Sequence, residues 1–165
     1  MRARCLLLAV TLALVTVPRP TLSQMRSAEE EEAVLAVLER LFDGMRAADS
    51  SMVRSTLHPD VRLVSLADGE SGPVLRSEPM DGFIEAVGTP HEEVWDERIW
   101  DPEVKIDGPL ATVWVPYAFY LDEELSHCGV DAFQLFHGTE GWKIFQIADT
   151  RRREGCQIPA EVSDG

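Results

Sequence analysis

The fold is decided by two adjoining stretches, LSHCGVDAFQLF at residues 125–136 and WKIFQIADTR at residues 142–151. Each is rich in aromatic and β-branched residues with polar residues interleaved, the signature of a strand. Gly138-Thr139-Glu140-Gly141 between them is a hairpin turn, and Gly129 marks a bend. His127, Gly129, Asp131 and Phe133 share one face of the first strand, because side chains alternate with period two. Asp149 and Arg151 share one face of the second, with Phe145 and Ile147. If His137 opposes Gly141, the polar residues of both strands lie on the same side; if it opposes Trp142, Asp149 turns away. A one-residue slip flips every side chain, so both registers stay open.

Working outward, residues 110–121 (LATVWVPYAFYL) read as a third long strand with Pro116 inside it. Residues 93–106 form another, in which Pro102 implies a bulge, a bend or an edge position. Upstream the period changes. Val34, Leu35, Leu38, Leu41, Phe42 and Met45 fall at helical spacing, predicting a helix over 28–48 capped by Ser27. Asp49-Ser50 caps a short second helix ended by Pro59, 61–67 reads as a strand, 74–76 as a short strand, and 80–87 as a short third helix. Helices followed by long antiparallel strands predict an α+β fold, with helices on one face of a curved sheet.

At the N-terminus, Arg2 and Arg4 precede an apolar run at 5–17 broken by Pro18 and Pro20. This is too short for a bilayer, which needs about 20 apolar residues, and it fits a secretory signal over 1–23 with a cut between Ser23 and Gln24. The expectation is a secreted or periplasmic protein: one domain over 24–156, a flexible tail over 157–165, and no membrane anchor after cleavage. The formal net charge is −14. Removing Arg2, Arg4 and Arg19 leaves 12 basic against 29 acidic residues, or −17. Such a chain repels phosphate backbones, which argues against nucleic-acid binding. Arginine far outnumbers lysine, which occurs only at positions 105 and 143; that bias is associated with GC-rich bacterial genomes.

Four segments resemble a known superfamily: AADSSMVRSTLHPDVRLVS (47–65), PLATVWVPYAFY (109–120), SHCGVDAFQLF (126–136) and GWKIFQIADTRR (141–152). With the element order, they are similar to nuclear transport factor 2-like proteins, in the bacterial polyketide-cyclase-like branch labelled "putative lumazine-binding". The resemblance covers about 28–156. It implies a cone: about three helices over the concave face of a curved sheet, a pocket between them, and frequent homodimers through the outer sheet face. The superfamily houses isomerases, cyclases, ligand binders and silent partners, so the fold leaves function open.

The candidate catalytic residues are Asp149, Asp131 and His127, and the candidate ligand-binding residues are Tyr117, Trp114, Phe133 and Arg151. A carboxylate in an apolar pocket has a raised pKa and serves as acid or base. A histidine beside it titrates near neutrality. The competing structural reading pairs Asp131 with Arg151, leaves His127 wet at a strand end, and has Arg151 to Arg153 pair with the chain's many carboxylates. Asp149→Asn separates the two: altered binding at an unchanged thermal midpoint marks a pocket residue, and a large fall in stability marks a structural one. Cys128 and Cys156 are expected to form a disulfide that pins the tail, with Cys128 opposite residues near Thr150. No metal motif is read, because the histidines are scattered, and neither a phosphate loop nor a cofactor fingerprint occurs. The expected partner is a small, partly apolar molecule. It is bound without turnover or, alternatively, processed by an isomerase or cyclase type of proton transfer. The third alternative is a dimeric interaction module with a vestigial cavity.

Overall fold

The computed structural model describes residues 21–163. The apolar run expected to be a signal lies outside them. Helix α1 runs Leu22–Arg46, starting six residues before the expected Ala28. Thr21, not Ser27, caps it: its side chain accepts from Gln24 N while the Gln24 side chain accepts from Thr21 N, a reciprocal box that satisfies two free N-terminal donors. Val34, Leu38, Leu41, Phe42 and Met45 form its buried stripe. Asp49 caps α2 (Ser50–Thr56), accepting from Ser51 N and Met52 N at 2.9 Å each.

The sheet has seven strands: β1 Leu57–Gly69, β2 Gly72–Glu78, β3 Trp95–Ile99, β4 Glu103–Asp107, β5 Leu110–Leu121, β6 Glu124–Gly138 and β7 Gly141–Arg151. Their order is β2-β1-β7-β6-β5-β3, with β4 also on β5. Helix α3 (Met80–Gly88) connects β2 to β3. The long strands β5, β6 and β7 are antiparallel as expected, and β1 joins them parallel to β7, which makes the sheet mixed. Pro102 breaks the expected single strand over 93–106 into β3 and β4, which pair with successive parts of β5. The chain is wound to the left-handed region at Asp101, φ 46°.

The inner face of β5, β6 and β7 packs Val113, Val115, Phe133, Leu135, Ile144 and Ile147 against the helices. Phe42 meets Phe133 edge to face, with centroids 6.2 Å apart, a favoured aromatic geometry.

The β6–β7 hairpin follows neither register as drawn. It opens with His137 opposite Trp142, the register expected to turn Asp149 outward. A bulge at Phe145 then adds one residue to β7, so that Gln146 pairs with Gln134 and Asp149 lands opposite Asp131 on the inner face. Phe145, expected to face inward, is the extra residue; Ile144 takes the buried place.

Cys128 and Cys156 are joined by a disulfide. Cys128 sits opposite Arg152, two residues beyond Thr150. Beyond it, residues 157–163 carry a short turn of helix, α4 (Ala160–Ser163); Ile158 packs beside Cys128 and Tyr120, and Arg98 donates to Val162 O at 2.9 Å.

Candidate functional site

The sheet register sets a row of side chains across the inner face. Arg76 on β2 pairs with Ser65 on β1, Ser65 with Asp149 on β7, Asp149 with Asp131 on β6, and Asp131 with Val115 on β5. Residues directly opposite share a face, so four polar residues converge here.

Asp149 is 4 % exposed and fully engaged. Ser65 Oγ donates to its Oδ1 at 2.6 Å, and Arg151 Nε and the Tyr117 hydroxyl donate to its Oδ2 at 2.6 and 3.4 Å. Tyr117 reaches Asp149 from β5 by passing over Gly129 on β6, and also donates to Thr150 O at 3.0 Å. That passage requires glycine: a Cβ at 129 would stand 1.7 Å from Thr150 O and 2.8 Å from the Tyr117 ring. Burial, then the surrounding carboxylates, raise the Tyr117 pKa above the ordinary phenol value, so its proton stays on the oxygen.

Asp131, 3 % exposed, has no such support. Its Oδ2 is buried and meets no N–H or O–H donor among the described residues. The carboxyl stands instead in hydrogen-bond contact with that of Glu97 on β3. Two ionised carboxylates repel each other, so this arrangement favours a proton on one of them. Burial, then the charge of Glu97, pushes Asp131 well above the usual carboxylate range. Burial pushes Glu97 up to about 7, with the charge of Asp149 adding to the rise and the hydrogen bond from Asp131 opposing it. Sequence reasoning missed Glu97. The signal was its place between Trp95 and Ile99, both partly buried against the core, so that Glu97 is a charge on the inward face of β3.

His127 lies at the rim, its ring 5.0 Å from Phe119 and 5.7 Å from Tyr117, with Nδ1 3.1 Å from Ser126 Oγ. It makes no hydrogen bond to either aspartate. Burial, then the Arg151 charge, pushes it down to about 4, so the ring is neutral at pH 7, not poised near neutrality as expected.

These groups end a small chamber of about 60 Å³, walled by Leu41, Phe42, Met45, Phe83, Phe133 and Ile147 and floored by Glu97, Asp131 and Asp149. Met45, Phe83, Glu97, His127 and Arg151 also line an open cleft of about 570 Å³ that continues over Trp95 and Phe119. Ligand sites for drug-sized molecules run to roughly 300–1,000 Å³; the chamber alone holds a functional group, and the cleft holds the rest. The sequence candidates Asp131, Asp149, His127, Tyr117, Phe133 and Arg151 thus line one space. Trp114 does not: it alternates out of phase with Val113 and Val115, and is 54 % exposed on the outer face. The pairing of Asp131 with Arg151 drawn by the competing structural reading does not form; Arg151 pairs with Asp149.

The model of the family described as "Putative lumazine-binding" matches residues 29–147. The chain belongs to that family. No curated protein matches it. Among solved structures, an NTF2-like protein of unknown function from Shewanella baltica is similar at TM-score 0.60 and 15 % identity, covering 77 % of this chain and 97 % of that one. An NTF2-like protein with a cystatin-like fold from Novosphingobium aromaticivorans gives 0.64 and 10 %, covering 86 % and 92 %. The S. rosetta CaMKII hub gives 0.57 and 16 %, covering 73 % and 95 %. At these identities the likeness carries the fold: this member of the lumazine-binding family is NTF2-like, with its chamber between the helices and the concave face of the sheet.

Proposed function

We propose that the protein is an exported binder of a small, partly apolar molecule, which lies in the open cleft and points a hydrogen-bond-accepting group into the chamber. The observation that carries this reading is that the Glu97 and Asp131 side chains, without a cation partner of their own among the described residues, line the end of an apolar-walled space. A ligand acceptor that displaces one carboxyl from the contact between these two receives the hydrogen bond of the proton held there from a neutral donor, at modest desolvation cost. The family description points to lumazine, a flat bicycle with such acceptors, larger than the chamber and suited to the cleft. Export is supported by the N-terminal pattern and by the disulfide, which persists in oxidising compartments. Homodimerisation through the outer sheet face is supported by the exposed Leu110, Trp114 and Phe136.

The test is a lumazine titration followed by tryptophan fluorescence, together with native mass spectrometry of the protein as purified. The expected result is a saturable small-molecule complex that is lost in Phe83→Arg, which blocks the cleft. Neither saturation nor a co-purifying molecule would overturn the reading.

One observation favours a second reading, proton transfer. A carboxyl at about 7, as in Glu97, both gives and takes protons at neutral pH. Asp149, locked by three donors, is not that base; Asp131 with Glu97 is. Deuterium exchange next to the carbonyl of a small ketone, abolished by Asp131→Asn, would support it, and exchange at the uncatalysed rate would remove it.

A further inference from the structure

Beside the chamber, Arg76, Arg151, Arg152 and Arg153 line a cleft of about 830 Å³ together with Ser126, His127, Asp68 and Glu154. In a chain of net charge −14, a cleft lined by four arginines and two acidic residues runs against the composition. The arginines were expected to pair with acidic neighbours. Only Arg151 does so, through Nε to Asp149, and its terminal N–H groups make no other hydrogen bond among the described residues. Arg76, Arg152 and Arg153 form no ion pair among those residues.

The backbone holds this cluster in place. Arg76 is fixed by the β1–β2 register opposite Ser65, on the inner face. Arg152 is tied to Cys128 by backbone hydrogen bonds in both directions, at 2.9 and 3.0 Å, and the disulfide closes the loop at Cys156. Unpaired like charges held together repel, and a bound anion relieves that repulsion. Guanidinium groups present forked donors that match a carboxylate or phosphate.

We infer that this cleft is an anion site, holding the carboxylate or phosphate end of the molecule whose apolar body occupies the neighbouring cleft. Arg151 and His127 line the chamber, the open cleft and the arginine cleft alike, so one ligand reaches all three. The placement of the apolar body rests on the binding reading above; anion capture does not.

The experiment uses the purified, disulfide-bonded protein at low ionic strength. Inorganic phosphate and acetate are titrated separately while the arginine Nε–H signals are followed by NMR, which ranks the two anion types. Saturable shifts are expected at the cleft arginines but not at Arg40 or Arg54, which hydrogen-bond Ser55 and Asp81 elsewhere. Arg76→Gln/Arg153→Gln, two exposed and unpaired positions, should weaken binding about tenfold or more with folding intact. No saturable shift, or equal shifts at every arginine, overturns the anion site. A second arm compares benzoate with benzamide. Preference for benzoate, lost in the double variant, supports the inference; equal binding of the two overturns it and leaves the pocket reading standing. Phosphate or acetate bound with both aromatics refused supports the anion site and removes the pocket reading.

Discussion

Asp131 and Asp149 stand directly opposite each other on β6 and β7, yet only Asp149 has a cation. Asp149 takes donors from a guanidinium and two hydroxyls, while Asp131 is left beside the Glu97 carboxyl, its affinity for a proton raised by burial and then by that neighbour's charge. Two like side chains at paired positions are thus pushed into different roles by what the next strands bring: Ser65 from β1, Tyr117 from β5 and Glu97 from β3.

The shared proton predicts a pH dependence. A carboxyl whose folded pKa is raised binds its proton more tightly in the folded state, so stability falls as pH rises from the unfolded value toward the folded one. For Glu97 that window runs from 4.5 to about 7. His127, depressed from 6.5 to about 4, acts oppositely: its contribution is present above 6.5 and lost as pH falls toward 4. The difference between wild type and Asp131→Asn cancels the histidine. Urea midpoints from pH 4.5 to 8 should show the variant gaining on wild type as pH rises, on the order of 1 kcal/mol per pKa unit relieved. A constant difference would mean that the pair shares no proton.

Asp149→Asn keeps the shape and removes the charge facing Arg151. It should cost about 1–3 kcal/mol in chemical denaturation and also change ligand binding, because the residue is both structural and chamber-lining. An unchanged midpoint would show that Arg151 finds equal support from solvent.

Gly129→Ala should cost at least about 2 kcal/mol, because the added methyl displaces Thr150 or forces Tyr117 off Asp149. Gly82→Ala, with nothing near its added carbon, is the control expected to leave the melting temperature within a few degrees.

Cys156→Ser opens a loop spanning 28 residues and should lower stability by about 3–4 kcal/mol. Free-thiol assay of the unfolded, unreduced protein should find none in the described domain of wild type. Two reactive thiols there would refute the bridge.

Trp114→Glu/Phe136→Glu places charges on the exposed apolar outer face. Sedimentation should show wild type as a dimer and the variant as a monomer with unchanged circular dichroism; a monomeric wild type refutes dimerisation through this face.

Most of the architecture was legible because it rests on local period: the stripe from Val34 to Met45 and the alternation through 110–121 need no partner to be read. The parallel pairing of β1 with β7 was not legible, since nothing local says which edge a strand joins. Six of the seven candidate residues line one chamber, five of them picked out by alternation along β6 and β7 and Tyr117 by its place on the neighbouring strand. Trp114 was misplaced when its aromatic character outweighed its phase beside Val113 and Val115. Glu97 was passed over because its strand was read as one long segment across Pro102, which blurs the phase that puts it inward. The arginines' lack of partners depends on contacts across distant strands, which composition cannot supply.

The bulge at Phe145 makes the site a matter of parity. Between Ile144 and Ile147 the chain counts an odd extra residue, and everything after it, Asp149 and Arg151 included, inherits the resulting sense. Pleating that residue into the strand would leave Trp142 and Ile144 seated and turn the same carboxylate and guanidinium to the opposite side of the sheet, whereas deleting it would put Ile147 two places after Ile144 and keep both groups inward. In comparing relatives, a one-residue gap here therefore preserves the chemistry, and an ungapped chain without the bulge is the one that turns it inside out.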